Sequence, residues 1–141
     1  MLQLFSGKVT VENDVVFGTT GSRDLKCDIF HPPGDGNRRP AVLIIHGGAW
    51  QGGDRNQLRY YGIQLARYGF VGVACEYRLS GEAPWPAQIH DVKAALRWMR
   101  AHADQLGIDE KKICVAGNSA GAHLALMLGC DTDAFEGEGG N

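Results

Sequence analysis

The chain has 141 residues, 44% of them apolar and 21% charged, with a formal net charge of −2. That is one domain's worth of sequence with an ordinary globular composition. Lys and Arg are scattered rather than striped, so no nucleic-acid partner is expected. No apolar stretch reaches the roughly 20 residues that span a bilayer, and residues 1–8 lack a basic region followed by an apolar core, so the expected location is cytoplasmic.

In chain order, the pattern predicts a strand over 9–17, closed by Gly18-Thr19-Thr20-Gly21, and a second over 25–31 with Leu25, Cys27 and Ile29 on one face. Pro32-Pro33-Gly34-Asp35 is a turn signal. Ala41-Val42-Leu43-Ile44-Ile45 is continuously apolar, the mark of a strand buried on both faces. A helix is predicted over 56–68, stopped by Gly69, and a further buried strand over 70–75. Pro86 is placed to start a long helix in which Ile89, Val92, Leu96, Met99, Ala103 and Leu106 recur at helical spacing to about residue 105. A last strand over 113–116 leads into a last helix from Ser119, and the acidic, Gly-rich stretch 131–141 reads as loop.

Strands alternating with helices from residue 41 onward imply a parallel, helix-covered sheet. The two earlier strands are expected as an antiparallel pair at its edge. The predicted class is therefore α/β, with no internal repeat and no second domain.

Two motifs carry the chemistry. Gly117-Asn118-Ser119-Ala120-Gly121 has the G-x-S-x-G spacing between a predicted strand and a predicted helix. That turn holds a serine hydroxyl exposed, with the positive end of the helix behind it. His46-Gly47-Gly48-Ala49-Trp50 follows the buried strand 41–45, so its backbone N–H groups are expected at the same sheet edge. A serine needs both a proton acceptor and donors for the oxyanion that forms. The loop supplies the donors.

The other candidates read as structural. Cys27, Cys75, Cys114 and Cys130 form no C-x-x-C pair and are expected to be buried small hydrophobes. No H-E-x-x-H pattern, phosphate-cradling G-x-x-x-x-G-K-[ST] or dinucleotide G-x-G-x-x-G occurs, so neither a metal site nor a cofactor is expected. Asp91 is read as a partner for a nearby cation or backbone amide. Trp50, Tyr77 and Trp85 fall near strand C-terminal ends, where open α/β sheets bind ligands, and are expected to line a substrate pocket.

Through these two motifs the chain resembles the α/β-hydrolase family. Within it, the chain is similar to the esterase and lipase branch with a His-Gly-Gly oxyanion loop, whose members are hormone-sensitive-lipase-like and acetyl- or feruloyl-esterase-like. The resemblance runs over about 16–129 and includes Gly52-Gly53-Asp54, Glu76-Tyr77-Arg78-Leu79 and Pro86-Ala87-Gln88-Ile89-His90-Asp91. It implies a partial α/β-hydrolase domain with Ser119 as nucleophile and the amides of Gly48, Ala49 and Ala120 as oxyanion hole, with His46 and Gly47 supporting that loop. Ala49 stands where many relatives have a third glycine. The implied substrate is a small ester, with amidase, arylformamidase and peptidase activities served by the same scaffold. Nothing in the sequence assigns an oligomeric state.

In this family the acid and the histidine follow the serine. Here the only later histidine is His123, one helical turn on, expected to pack or cap there. The base and acid are therefore expected beyond Asn141, the chain alone is expected to be inactive, and its last strand, which the resemblance places mid-sheet, is expected to present an apolar edge.

Overall fold

The computed structural model describes residues 4–130; the predicted loop 131–141 lies outside them. The polypeptide forms β1 (Thr10–Thr19), β2 (Asp24–His31) and β3 (Arg39–Ile45). A 3-10 turn (Arg55–Leu58) runs into α1 (Arg59–Arg67), followed by β4 (Val71–Cys75) and α2 (Ala87–Ala101). The short α3 (Ala103–Leu106), β5 (Ile108–Gly117) and α4 (Ala120–Gly129) complete it.

The strands form one 5-stranded sheet in the order β1-β2-β4-β3-β5. β1 pairs antiparallel with β2, and β2 antiparallel with β4, while β3 runs parallel to both β4 and β5. This is the mixed sheet the sequence predicts, with the antiparallel pair at one edge. Among the described residues β5 forms the other edge, and its Cys114 and Ala116 are exposed.

The strict side-chain alternation of β3 divides the core in two. Ala41, Leu43 and Ile45 join Val71, Val73, Ile89, Val92, Met99 and Leu124 in the larger cluster, beneath α2 and α4. Val42 and Ile44 face the smaller one, with Phe30, Ala66 and Ala74, beneath α1. Each fully buried aliphatic side chain contributes about 1.5–3 kcal/mol of transfer free energy, which is why the unbroken apolar runs of β3 and β4 occupy the sheet's centre. α1 lies close on its face because Gly62 presents no side chain. A Cβ there would sit 2.6 Å from the Phe30 ring.

Three predicted boundaries shift for local reasons. The helix expected from residue 56 opens as a 3-10 turn, because the Asp54 carboxylate caps it by accepting from the Asn56 N–H at 2.7 Å. The long helix stops at Ala101 rather than near 105. There the His102 ring stacks on Trp98 and its Nδ1–H donates to the Trp98 carbonyl at 2.9 Å, and Gly107, in the left-handed region at φ 67°, closes the separate turn α3. The last strand begins at Ile108, five residues before the predicted start. Asp109 takes the Lys111 N–H at 3.0 Å across a register irregularity, and an Asp-Glu-Lys-Lys stretch does not read as strand.

The cysteines divide. Cys27 and Cys75 are buried register partners on β2 and β4, and burial pushes the Cys27 thiol up to about 12 and the Cys75 thiol up as well. Both are inert apolar filler at neutral pH. Cys114 and Cys130 depart from the expectation of burial and are exposed, the first because it lies on the edge strand β5, beside its register partner Val42 on the face where α1 packs against β4 and β2.

Candidate functional site

The parallel pairing of β3 and β5 brings two distant loops side by side. Ile45 is the register partner of Gly117, so residues 46–50 and 117–121 leave the sheet at neighbouring positions. They touch: a Cβ on Gly47 would lie 2.8 Å from the Asn118 carbonyl oxygen.

At the elbow Ser119 is exposed and holds φ 50° and ψ −118°, a conformation that costs a non-glycine residue about 1–3 kcal/mol. Two glycines permit it. A side chain on Gly121 would run into the carbonyls of Ile45 and His46, and one on Gly117 would lie 2.5 Å from the Gly121 carbonyl carbon. Among the described residues the Ser119 hydroxyl makes no capping bond to α4, although it occupies the N-cap position. The Ala120 amide opens α4, where the first N–H groups of a helix lack intrahelical partners.

In the facing loop Gly48, Ala49 and Trp50 all have positive φ, at 125°, 53° and 59°. Five non-glycine residues among those described have positive φ, and three of them, Ala49, Trp50 and Ser119, lie in these two loops. Strain is thus concentrated where the motifs meet. The Gly48 carbonyl accepts from the Gln51 and Gly52 N–H groups at 3.0 Å each, and the Trp50 carbonyl accepts from Ser80 at 2.7 Å. These bonds take up the Gly48 and Trp50 carbonyls, while the Gly48 and Ala49 N–H groups have no protein acceptor among the described residues.

His46 is buried, 3% exposed, beneath this loop. Its Nδ1 lies 2.8 Å from the Gly47 carbonyl, which only accepts, so Nδ1 carries the proton. Burial holds its pKa below the ordinary 6.5, so the ring is neutral at pH 7.

Trp50 and Trp85, 38% and 46% exposed, line a cavity of about 420 Å³ with Ala49, Gln51, Ser80, Gln88 and His123. His123 sits between the two indoles, edge-on to Trp50 at a centroid distance of 5.4 Å and 5.8 Å from Trp85. Sequence reasoning left His123 as a packing or capping residue. The signal that could have found it is its i+4 spacing from Ser119, which keeps it on the serine's side of α4.

Tyr77 corrects an expectation, because it lines no part of that cavity. It is 1% exposed, stacked on His46 at 4.4 Å and 10°, with its hydroxyl donating to the His46 carbonyl at 2.9 Å; burial pushes its pKa up to about 12. The residues on either side explain why it turns inward. Glu76 accepts from the Lys26 N–H at 2.9 Å and bridges Arg23 at 2.5 Å. Asp91, 1% exposed, accepts from the Arg78 backbone at 2.8 Å and takes the guanidinium through both carboxylate oxygens. Asp91 thus binds both a cation and a backbone amide. Gln57 was also missed by sequence reasoning: its side-chain oxygen accepts from the Gly47 N–H at 2.8 Å.

Among the described residues no cluster of His, Cys, Asp or Glu is arranged to hold a metal, and no helix is long and apolar enough to cross a membrane.

Residues 27–141 match the BD-FAE family. The chain belongs to this family, an α/β-hydrolase esterase family. BD-FAE membership agrees with individual relatives. The chain is 36% identical over 118 residues to Esterase LipQ of Mycobacterium tuberculosis, covering 82% of this chain and 28% of that protein. It is 36% identical over 116 residues to Carboxylesterase NlhH of the same organism, covering 79% of this chain and 35% of the relative. Among solved structures, the thermophilic esterase Est2 of Thermogutta terrifontis superposes with a TM-score of 0.76 at 36% identity, over 82% of this chain and 42% of that one. The same esterase has been captured phosphorylated by paraoxon. This BD-FAE chain therefore spans about a quarter to under half the length of these relatives.

Proposed function

We propose that the chain carries the nucleophile and oxyanion half of a serine carboxylic-ester hydrolase acting on small esters. The observation that carries this reading is the contact of two strained, glycine-gated loops: Ser119 exposed on one, and the Gly48 and Ala49 amides freed on the other. Ser119 Oγ attacks the ester carbonyl carbon and gives up its proton to a base. The carbonyl oxygen takes the negative charge, and the amides of Gly48, Ala49 and Ala120 donate to it. Collapse expels the alcohol, which receives that proton, and water then releases the acid from the acyl-serine. Trp50 and Trp85 form walls of the substrate pocket.

The base and its orienting carboxylate are assigned to residues outside 4–130, because the one later histidine described, His123, is engaged between two indoles. This favours a second reading, in which the chain by itself is a catalytically incomplete piece. Loss of triad members leaves a small residual catalysis from the oxyanion hole, so such a piece would turn over roughly 10⁴–10⁶-fold more slowly than a complete enzyme.

Paraoxon or a fluorophosphonate, followed by peptide mass spectrometry, separates the readings. The hydrolase reading expects one adduct, on Ser119, abolished by Ser119→Ala together with hydrolysis of short-chain nitrophenyl esters. Ester hydrolysis with no Ser119 adduct overturns the nucleophile assignment. Neither adduct nor hydrolysis supports the incomplete piece.

A further inference from the structure

The carbonyl of His46 and the N–H of Gly47 belong to one peptide group, and each is held by a different side chain. Tyr77 Oη, from the segment after β4, donates to the carbonyl at 2.9 Å. Gln57 Oε1, from the 3-10 turn before α1, accepts from the N–H at 2.8 Å. We propose that Tyr77 and Gln57 are positioning residues of the oxyanion hole, a two-ended clamp that fixes the plane of the peptide joining His46 to Gly47 and thereby aims the Gly48 and Ala49 amides. The inference rests on the reading of those two amides as oxyanion donors.

The two hydrogen bonds hold this peptide group at both ends. It is the second peptide after β3 ends at Ile45 and lies one residue before a run of three positive-φ residues, so a rotation about it is passed on to the donors. Its surroundings are close but not directional. Gly121 packs against the Ile45 and His46 carbonyls, and Gly53 against Gly47 and the His46 ring, where a Cβ would lie 2.7 Å from Nδ1. These contacts block displacement, whereas the two hydrogen bonds select an orientation. The clamp arms are themselves immobilised. Tyr77 lies face to face with the His46 ring, between the anchored Glu76 and Arg78. Gln57 sits in the turn that Asp54 caps and that Arg55 ties to Asp28 at 2.5 Å and Asp14 at 2.7 Å. Oxyanion stabilisation depends on donors fixed before charge develops. Loss of either arm should therefore weaken the rate at which a bound reagent reacts and leave its binding alone.

The test uses Tyr77→Phe and Gln57→Leu, which keep the packed volume, their combination, and Gln57→Glu, which keeps the acceptor. Two quantities are measured: amide hydrogen exchange of Gly47 by NMR, and the kinetics of Ser119 labelling by a fluorophosphonate, resolved into reagent affinity and maximal rate. Tyr77→Phe and Gln57→Leu are each expected to speed Gly47 exchange and to lower the maximal labelling rate about tenfold, below the cost of deleting a whole donor, with affinity held within about twofold. The double variant is expected to lose less than the product of the single losses, because both arms act on one peptide. Gln57→Glu is expected to keep the parent's Gly47 protection and labelling rate. Unchanged Gly47 exchange in both single variants overturns the clamp. So does a loss that falls on affinity, or a Gln57→Glu as damaged as Gln57→Leu. A parent chain that leaves Ser119 unlabelled supports the catalytically incomplete piece instead, and the exchange measurement then decides the clamp by itself.

Discussion

The two loops that meet at Ser119 are held by opposite means. The elbow is shaped by what is missing: Gly117 and Gly121 remove side chains that would strike the backbone of the opposite strand end, and Ser119 is forced into its left-handed turn. The loop from His46 to Trp50 is shaped by what reaches in, with Tyr77, Gln57 and the His46 ring each bonded to its backbone. Steric exclusion works over a few residues of chain, while a hydrogen-bonded support draws on side chains from ten and about thirty residues away. The elbow is therefore a local device, and the oxyanion loop depends on the integrity of the sheet edge around it.

The largest expected effect comes from attacking the loop's remote support. Asp91→Ala removes the carboxylate that grips the Arg78 backbone and guanidinium at once, from a position that is 1% exposed. Breaking such a buried pair from one side costs about 3–5 kcal/mol, to be read from urea unfolding. A loss below about 1 kcal/mol would place the pair among weakly contributing surface bridges and detach it from the loop's support. Gly121→Ala attacks the elbow. Alanine is worth about 1 kcal/mol over glycine inside a helix, but the added Cβ overlaps the Ile45 and His46 carbonyls. Overpacking should win, giving a net loss of about 2 kcal/mol in the same assay. Stabilisation would mean that propensity, and not steric fit, governs the elbow.

The same contrast explains what could be read from the chain. The elbow was legible because its determinants are contiguous: two glycines, a serine, an apolar run before and a helical run after. β3 and β4 were legible because strands buried on both faces need unbroken apolar runs, and those runs also implied the parallel centre of the sheet. Tyr77 was misplaced because an aromatic at a strand end serves a pocket or a core equally well by sequence. Only the anchoring of Glu76 to Lys26 and Arg23, and of Arg78 to Asp91, turns it inward. Gln57 could not be singled out, since a glutamine in a polar turn carries no periodic or motif signal. His123 was underread for a related reason: its neighbours Trp50 and Trp85 come from two other loops. The start of β5 was hidden by charges that an exposed edge tolerates.

The smallest effect separates the loop from the elbow by pH. His46 is neutral and buried in the folded chain, with its pKa depressed by loss of solvent, while in the unfolded chain it titrates near 6.5. The unfolded state therefore binds more protons as pH falls, and the stability gained by keeping this ring neutral is present above 6.5 and lost below it. The carboxylates with depressed pKa values, Asp14, Glu82 and Asp109, start from 3.8, 4.5 and 3.8, so their contributions fade at lower pH. Between about pH 6.5 and 5 the unfolding free energy should decline with a slope of at most one proton. His46→Asn offers an amide N–H to the Gly47 carbonyl and cannot take up a proton, so it should flatten that slope while Gly121→Ala leaves it intact. An unchanged slope in His46→Asn would mean that the loop's neutral imidazole is not what couples its support to pH.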